Sequence, residues 1–213
     1  MHLDLLIHHS PFFRAALTGS FKEAHEKLVT LSDTNEGTFE LFVHWLYHQR
    51  FPTVDDCPEL LTLYRNDSNT WFQYYKLLDL YVFSDKYDVP GLKRQCLDTL
   101  FHHVTDDSQL PHFELVRDTF DSLGTDQDPL CRFLVDTYCY WSDEQCWTIE
   151  DTHGLPWAFV AQVLSRYTNF AHGGRDNCFP ELCNYHNHAT LKEREACEEK
   201  REKAEQAREM LTG

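Results

Sequence analysis

SPFFRAALTGSFKEAHEKLVTLSDTNEGTFELFVHWLY, residues 10–47, decides the fold. Ser10 before Pro11 is a helix start: an acceptor for free N–H groups, then a residue with no N–H to leave open. Phe12, Phe13, Ala16 and Leu17 follow at helical spacing, and Thr18-Gly19 stops them. LVTL at 28–31 is a β-branched run of strand length. Asp33, three residues before Glu36, predicts a capping box. Phe39, Phe42, Val43, Leu46 and Tyr47 then recur at the spacing of one apolar helical face. The stretch holds no metal, phosphate or nucleophile motif.

Working outward, residues 52–70 carry two prolines and RNDSN, and predict a loop with a short helix at 58–64. YYKLLDLYVFSDKYDV (74–89) predicts a helix apolar nearly all round, punctuated by Pro90-Gly91. LKRQCLDTLF (92–101) predicts another, with Leu92, Cys96, Leu97 and Leu100 on one side. Helices are expected at 111–123 and 128–141, and again in LPWAFVAQVLSRYTNF (155–170). The tail from Leu191 is rich in Glu, Lys, Arg and Ala. Its Glu199–Lys203 pair supports a helix, while Glu195–Glu199 and Glu198–Glu202 repel, so a single solvated helix is expected. The chain divides into residues 1–104, a helical extension over 105–170, and a polar hinge with a charged helical tail over 171–213.

The 213 residues carry a formal net charge of −16 with 42% apolar residues, enough for a core. Such an acidic surface repels phosphate backbones and anionic membranes, so neither nucleic acid nor membrane is an expected partner. Eight cysteines without a visible secretory signal suggest reduced thiols in an intracellular protein, in the cytoplasm or nucleus. Cys57, Cys96, Cys131, Cys139 and Cys146 are then core or half-buried residues. Enzyme motifs are missing: HEKL at 25–28 lacks the second His of a zinc protease, and there is no G-x-S-x-G elbow or phosphate-cradling loop. No catalytic residue is assigned.

HLDLLIHHSPFFRAALTGSFKEA, VTLSD, TFELFVHWLYHQRF and LLDLYVFSDKYDVPGLKRQCLDTL, in this order and spacing, resemble a BTB/POZ domain. The likeness is to the variant in fungal BTB proteins, where a polar insert takes the place of residues 52–70. It covers residues 1–104 and extends more loosely to 170. It implies an α+β fold, mostly α-helical, followed by a helical extension and a charged tail helix. The family's N-terminal β-hairpin would precede His2, so the sequence reads as N-terminally truncated or as an alternative start. Strand 28–31 would then lack its usual partners.

The resemblance implies a protein–protein interaction module with two readings. In the first it is a substrate adaptor for a cullin-type ubiquitin ligase. Phe21-Lys22-Glu23 matches the family's hydrophobic–any–Glu motif, an aromatic anchor beside an orienting carboxylate. Alternatively, Phe21 tucks against the domain and Glu23 faces solvent. Helices 111–123 and 128–141 either extend the cullin contact or cover the domain's own apolar face. In the second reading the protein is a homotypic assembly or scaffold, with transcription as one setting, without a ligase link. Family dimers, or pairings with other BTB proteins, use the first helix, here with Leu3, Leu5 and Leu6 at the interface.

One constellation stands apart from the resemblance. Cys178, Cys183, His186, His188 and Cys197 place soft thiolate and imidazole ligands in one polar segment, a candidate zinc site. The spacing departs from a standard finger. His186 and His188 point opposite ways in a strand or helix and converge only in a turn. The alternative is a flexible linker with incidental Cys and His.

Overall fold

The computed structural model describes residues 2–66, 69–107, 110–123, 127–142, 146–171 and 180–212. The chain forms two compact units, residues 1–109 and 110–213. Both are helical. Among the described residues no strand forms, and the only bridge is an isolated antiparallel one between Asn66 and Asn69. No helix among them is long and apolar enough to cross a membrane.

The first unit holds α1 (Leu3–His9), α2 (Pro11–Thr18), α3 (Lys22–Glu26), α4 (Glu36–His48), α5 (Pro58–Tyr64), α6 (Thr70–Lys86) and α7 (Pro90–Asp107). Ser10 caps α2 as its sequence predicts: its hydroxyl oxygen accepts the Phe13 N–H at 3.0 Å, with Pro11 first in the helix. α6 ends on Asp88 in the left-handed region (φ 48°). There Val89 N–H reaches the Ser84 carbonyl at 2.8 Å and Asp88 N–H that of Asp85 at 3.3 Å. This Schellman ending lets Pro90 open α7 at once. α6 and α7 pack along each other through Leu77, Leu80, Tyr81, Leu92 and Cys96, all fully buried. Phe13, Phe42, Phe83 and Tyr87 meet at the centre, with ring centroids 4.7–6.3 Å apart. Each such side chain taken out of water contributes about 1.5–3 kcal/mol.

Three expectations are corrected here. The run 28–31 is not a strand: Lys27 caps α3 in the left-handed region (φ 51°), and Leu28 is 61% exposed. A strand needs a partner ladder for its N–H and C=O groups, and no described segment supplies one. The N-cap of α4 is Asn35, whose side chain accepts the Thr38 N–H at 2.7 Å. Asp33 instead pairs with Lys86 and accepts from the Tyr87 hydroxyl at 3.2 Å, contacts made across the fold. Finally, α4 buries Leu41, Phe42, Trp45 and Leu46, while Tyr47 is 42% exposed. The predicted face is thus rotated, because α4 is covered on more than one side. Trp45 also donates its indole N–H to Gln95 Oε1 at 2.6 Å.

Before α5, the polar insert is clasped by Arg50, which grips the Asp56 carboxylate with both terminal nitrogens at 2.5 and 2.9 Å. Cys57, expected in or near the core, is exposed, whereas Cys96 and Cys131 are buried.

The second unit holds α8 (Phe113–Leu123), α9 (Pro129–Trp141), α10 (Ile149–Thr152), α11 (Trp157–Ala171), a 3-10 helix (Leu182–Tyr185) and α12 (Leu191–Thr212). Its core joins Val116 and Phe120 of α8, Cys131, Leu134, Val135 and Tyr138 of α9, and Phe159 and Val163 of α11. Asp128 caps α9 by accepting the Leu130 N–H at 2.9 Å. Within the segment expected to be a polar hinge, Leu182, Cys183 and Tyr185 are buried.

Candidate functional site

Two places in the molecule gather the residues that the sequence singled out. The first is the start of α3. Gly19 and Ser20 break the chain after α2, so Phe21 begins a new helix in extended conformation (φ −76°, ψ 161°) and cannot join the apolar stripe of α2. Its ring leans toward Gly19 yet remains 59% exposed, against 2% for Phe13 and 0% for Phe42. Lys22 pairs with Glu26 at 3.5 Å, one turn on, which leaves Glu23 outside that ion pair. Glu23 is half-buried beside the anchor. Leu28, 61% exposed, follows in the same short stretch, and sequence reading had placed it inside a strand. On α1, Leu3 is 40% exposed and Leu5 half-buried, whereas Leu6 is 4% exposed and belongs to the unit's own core. Of these three leucines, only Leu3 and Leu5 are therefore available to another chain.

The second place lies between the 3-10 helix and α12. Tyr185 fixes the 3-10 helix to α9: its ring stands edge-on to Phe133 at 5.3 Å, and its hydroxyl donates to Asp136 Oδ2 at 3.0 Å. Arg166 of α11 also holds Asp136, at 3.0 Å. Burial raises the Asp136 carboxyl, a shift that Arg166 opposes, and burial with the facing carboxylate pushes the Tyr185 hydroxyl up. Asn184 adds a second tie to α9 and one to α12, accepting from Arg132 at its backbone carbonyl (3.4 Å) and from Arg194 at its side chain (3.2 Å).

Beyond Tyr185 the chain turns. His188 N–H donates to the His186 carbonyl at 3.1 Å, a three-residue turn of the kind that lets both imidazoles face one side. Their rings meet edge-on at 5.5 Å. Thr190 and Glu193 then open α12: Thr190 Oγ1 accepts the Glu193 N–H at 3.2 Å, and the Glu193 carboxylate accepts the Ala189 N–H at 2.8 Å. This T-x-x-E signal is legible in the sequence at Thr190 and Glu193. It sets the phase of α12, so that Cys197 in its second turn faces back to the 3-10 helix, with His186 Nδ1 3.3 Å from Cys197 Sγ. The ligand atoms of Cys183, His186, His188 and Cys197 all lie within 4.8 Å of one another. Burial, then the neighbouring Cys197, hold the Cys183 thiol up at about 11. Cys178, the fifth candidate, lies outside the described residues.

Comparison with known proteins bears most directly on the first unit. Residues 2–103 match the family described as BTB/POZ domain. Among curated proteins, the chain is similar to Kelch repeat and BTB domain-containing protein 4 of Pongo abelii, at 26% identity over 148 aligned positions, 61% of this chain and 29% of that protein. The same protein of Macaca fascicularis and of Mus musculus matches at 26% identity over 61% of this chain, and over 27% and 28% of their own lengths. The chain thus spans less than a third of these relatives. No solved structure gives a significant match.

Proposed function

The chain carries a BTB/POZ domain over residues 2–103, a protein-interaction module, and from this we propose that it is an adaptor that docks on a cullin-type ubiquitin ligase scaffold in the cytoplasm or nucleus. One observation supports this reading above the others: Phe21 stands 59% exposed at the start of α3 with Glu23 two residues on. A large aromatic left in water at a helix start is an available anchor, and the carboxylate supplies a charged acceptor that orients the partner. In the second unit, Trp157 is 74% exposed and Leu164 53%, seven residues apart on α11. This stripe is the surface assigned to a client.

The test is capture of the full chain by the N-terminal domain of a cullin, comparing wild type with Phe21→Ala/Glu23→Ala. Wild type is retained, and the double variant loses binding by about 30-fold, the size expected for a central anchor. Equal retention of both, or of neither, rejects the cullin reading. The exposed Leu3 of α1 favours the other reading, a homotypic assembly or scaffold. A chain that self-associates by light scattering, loses this on Leu3→Asp, and ignores the cullin is the scaffold.

A further inference from the structure

The cluster at the start of α12 goes beyond docking. We propose that Cys183, His186, His188 and Cys197 bind one structural zinc ion that ties the 3-10 helix to the tail helix. Three observations carry this. The first is composition: two thiols and two imidazoles form the tetrahedral N2S2 set that zinc prefers. Two thiolates also cancel the charge of one divalent zinc, so the filled site is neutral and suits its half-buried position.

The second is geometry. Tetrahedral bonds of about 2.3 Å to sulfur and 2.0–2.1 Å to nitrogen set ligand atoms about 3.3–3.8 Å apart. The four atoms lie within 4.8 Å of one another, and His186 Nδ1 and Cys197 Sγ are already at 3.3 Å. Side-chain rotation closes what remains.

The third is construction. His186 and His188 are spaced so that an extended or helical backbone would send them apart, and the hydrogen-bonded turn between them removes that obstacle. The Thr190–Glu193 box phases Cys197 inward, and Arg194 holds Asn184, next to Cys183. These three local features bring the four ligand atoms to one point. The ion also explains how α12 is held. Its described side chains are mainly charged and exposed, and Glu/Lys/Arg-rich helices are marginal on their own.

The experiment uses the full chain, expressed with zinc and purified under reducing conditions. Elemental analysis is expected to find about one zinc per chain. Cys183→Ser/Cys197→Ser is expected to retain about a tenth of this or less, while Cys57→Ser, at an exposed thiol of the first unit, retains all of it. Cobalt(II) added to chelator-treated wild type gives the intense visible absorption of a tetrahedral thiolate site, a readout independent of how the variants fold. Absence of metal from wild type, or full zinc in a folded double variant, overturns the proposal. So does a Cys183–Cys197 disulfide, seen as a loss of two hydrogens in the intact mass, or stoichiometric copper or iron in place of zinc.

Discussion

Ser10 and Tyr87 are joined by a buried hydrogen bond, in which the Ser10 hydroxyl donates to the Tyr87 carbonyl at 2.6 Å across 77 residues. The same oxygen accepts from Phe13 N–H. One hydroxyl thus caps α2 and satisfies the end of α6. Ser10→Ala removes both and strands a buried carbonyl. Urea unfolding should show a loss of about 1–3 kcal/mol. Ser20→Ala, at an exposed position in the next connection, should stay within about 0.5 kcal/mol.

Phe13 and Phe21 are eight residues apart and sit in opposite environments. Phe13 is 2% exposed and stacks on Phe42 and Tyr87. Phe13→Ala should cost about 3–5 kcal/mol of stability. Phe21→Ala should cost less than about 0.5 kcal/mol. A large destabilisation from Phe21→Ala would mean that its ring serves the fold rather than a partner.

Gly19 lies where any side chain meets backbone. A Cβ there would stand 2.6 Å from the Ala15 carbonyl oxygen, so the junction of α2 and α3 must move. Gly19→Ala should lower stability by about 1–2 kcal/mol and shift the helix that presents Phe21. Thermal unfolding checks the first effect, and partner capture by the variant checks the second. An unchanged melting temperature would show that the junction relaxes freely.

Asp56 is held well below the usual carboxylate range, first by the Arg50 guanidinium and then by the Thr53 N–H, which donates to it at 2.7 Å. A lowered carboxyl stabilises the folded chain above its unfolded value of about 3.9, and that contribution fades as pH falls toward the folded value. The Asp56 carboxyl signal in a pH titration should therefore show no protonation midpoint between pH 7 and about 3. A midpoint near 4 would reject the clasp. At neutral pH, Asp56→Asn should make the 50–57 segment a faster target for limited proteolysis.

These residues also show what the sequence made legible. Ser10-Pro11 and the helix at 58–64 rest on local chemistry, in caps and prolines, and stand where the sequence puts them. Asp33 misled because its competitors for partnership, Lys86 and Tyr87, lie 53 and 54 residues away. LVTL at 28–31 has the composition of a strand, but a strand is made by its neighbour, and composition does not supply one. The Cys/His segment was readable as a candidate zinc site, but its geometry was not. Its convergence depends on the turn at 186–188 and the cap at 190, and on Tyr185 anchoring the segment to a helix nearly fifty residues upstream.

The Ser10–Tyr87 bond also sets an order on synthesis. While the chain emerges from the ribosome, α2 has its serine but not the carbonyl that locks it, and Phe13 waits for Phe83 and Tyr87 to complete its stack. The helix that leads into Gly19 and Phe21 is therefore locked at its start only once α6 has been made, so nascent chains that stop short of Tyr87 lack that lock.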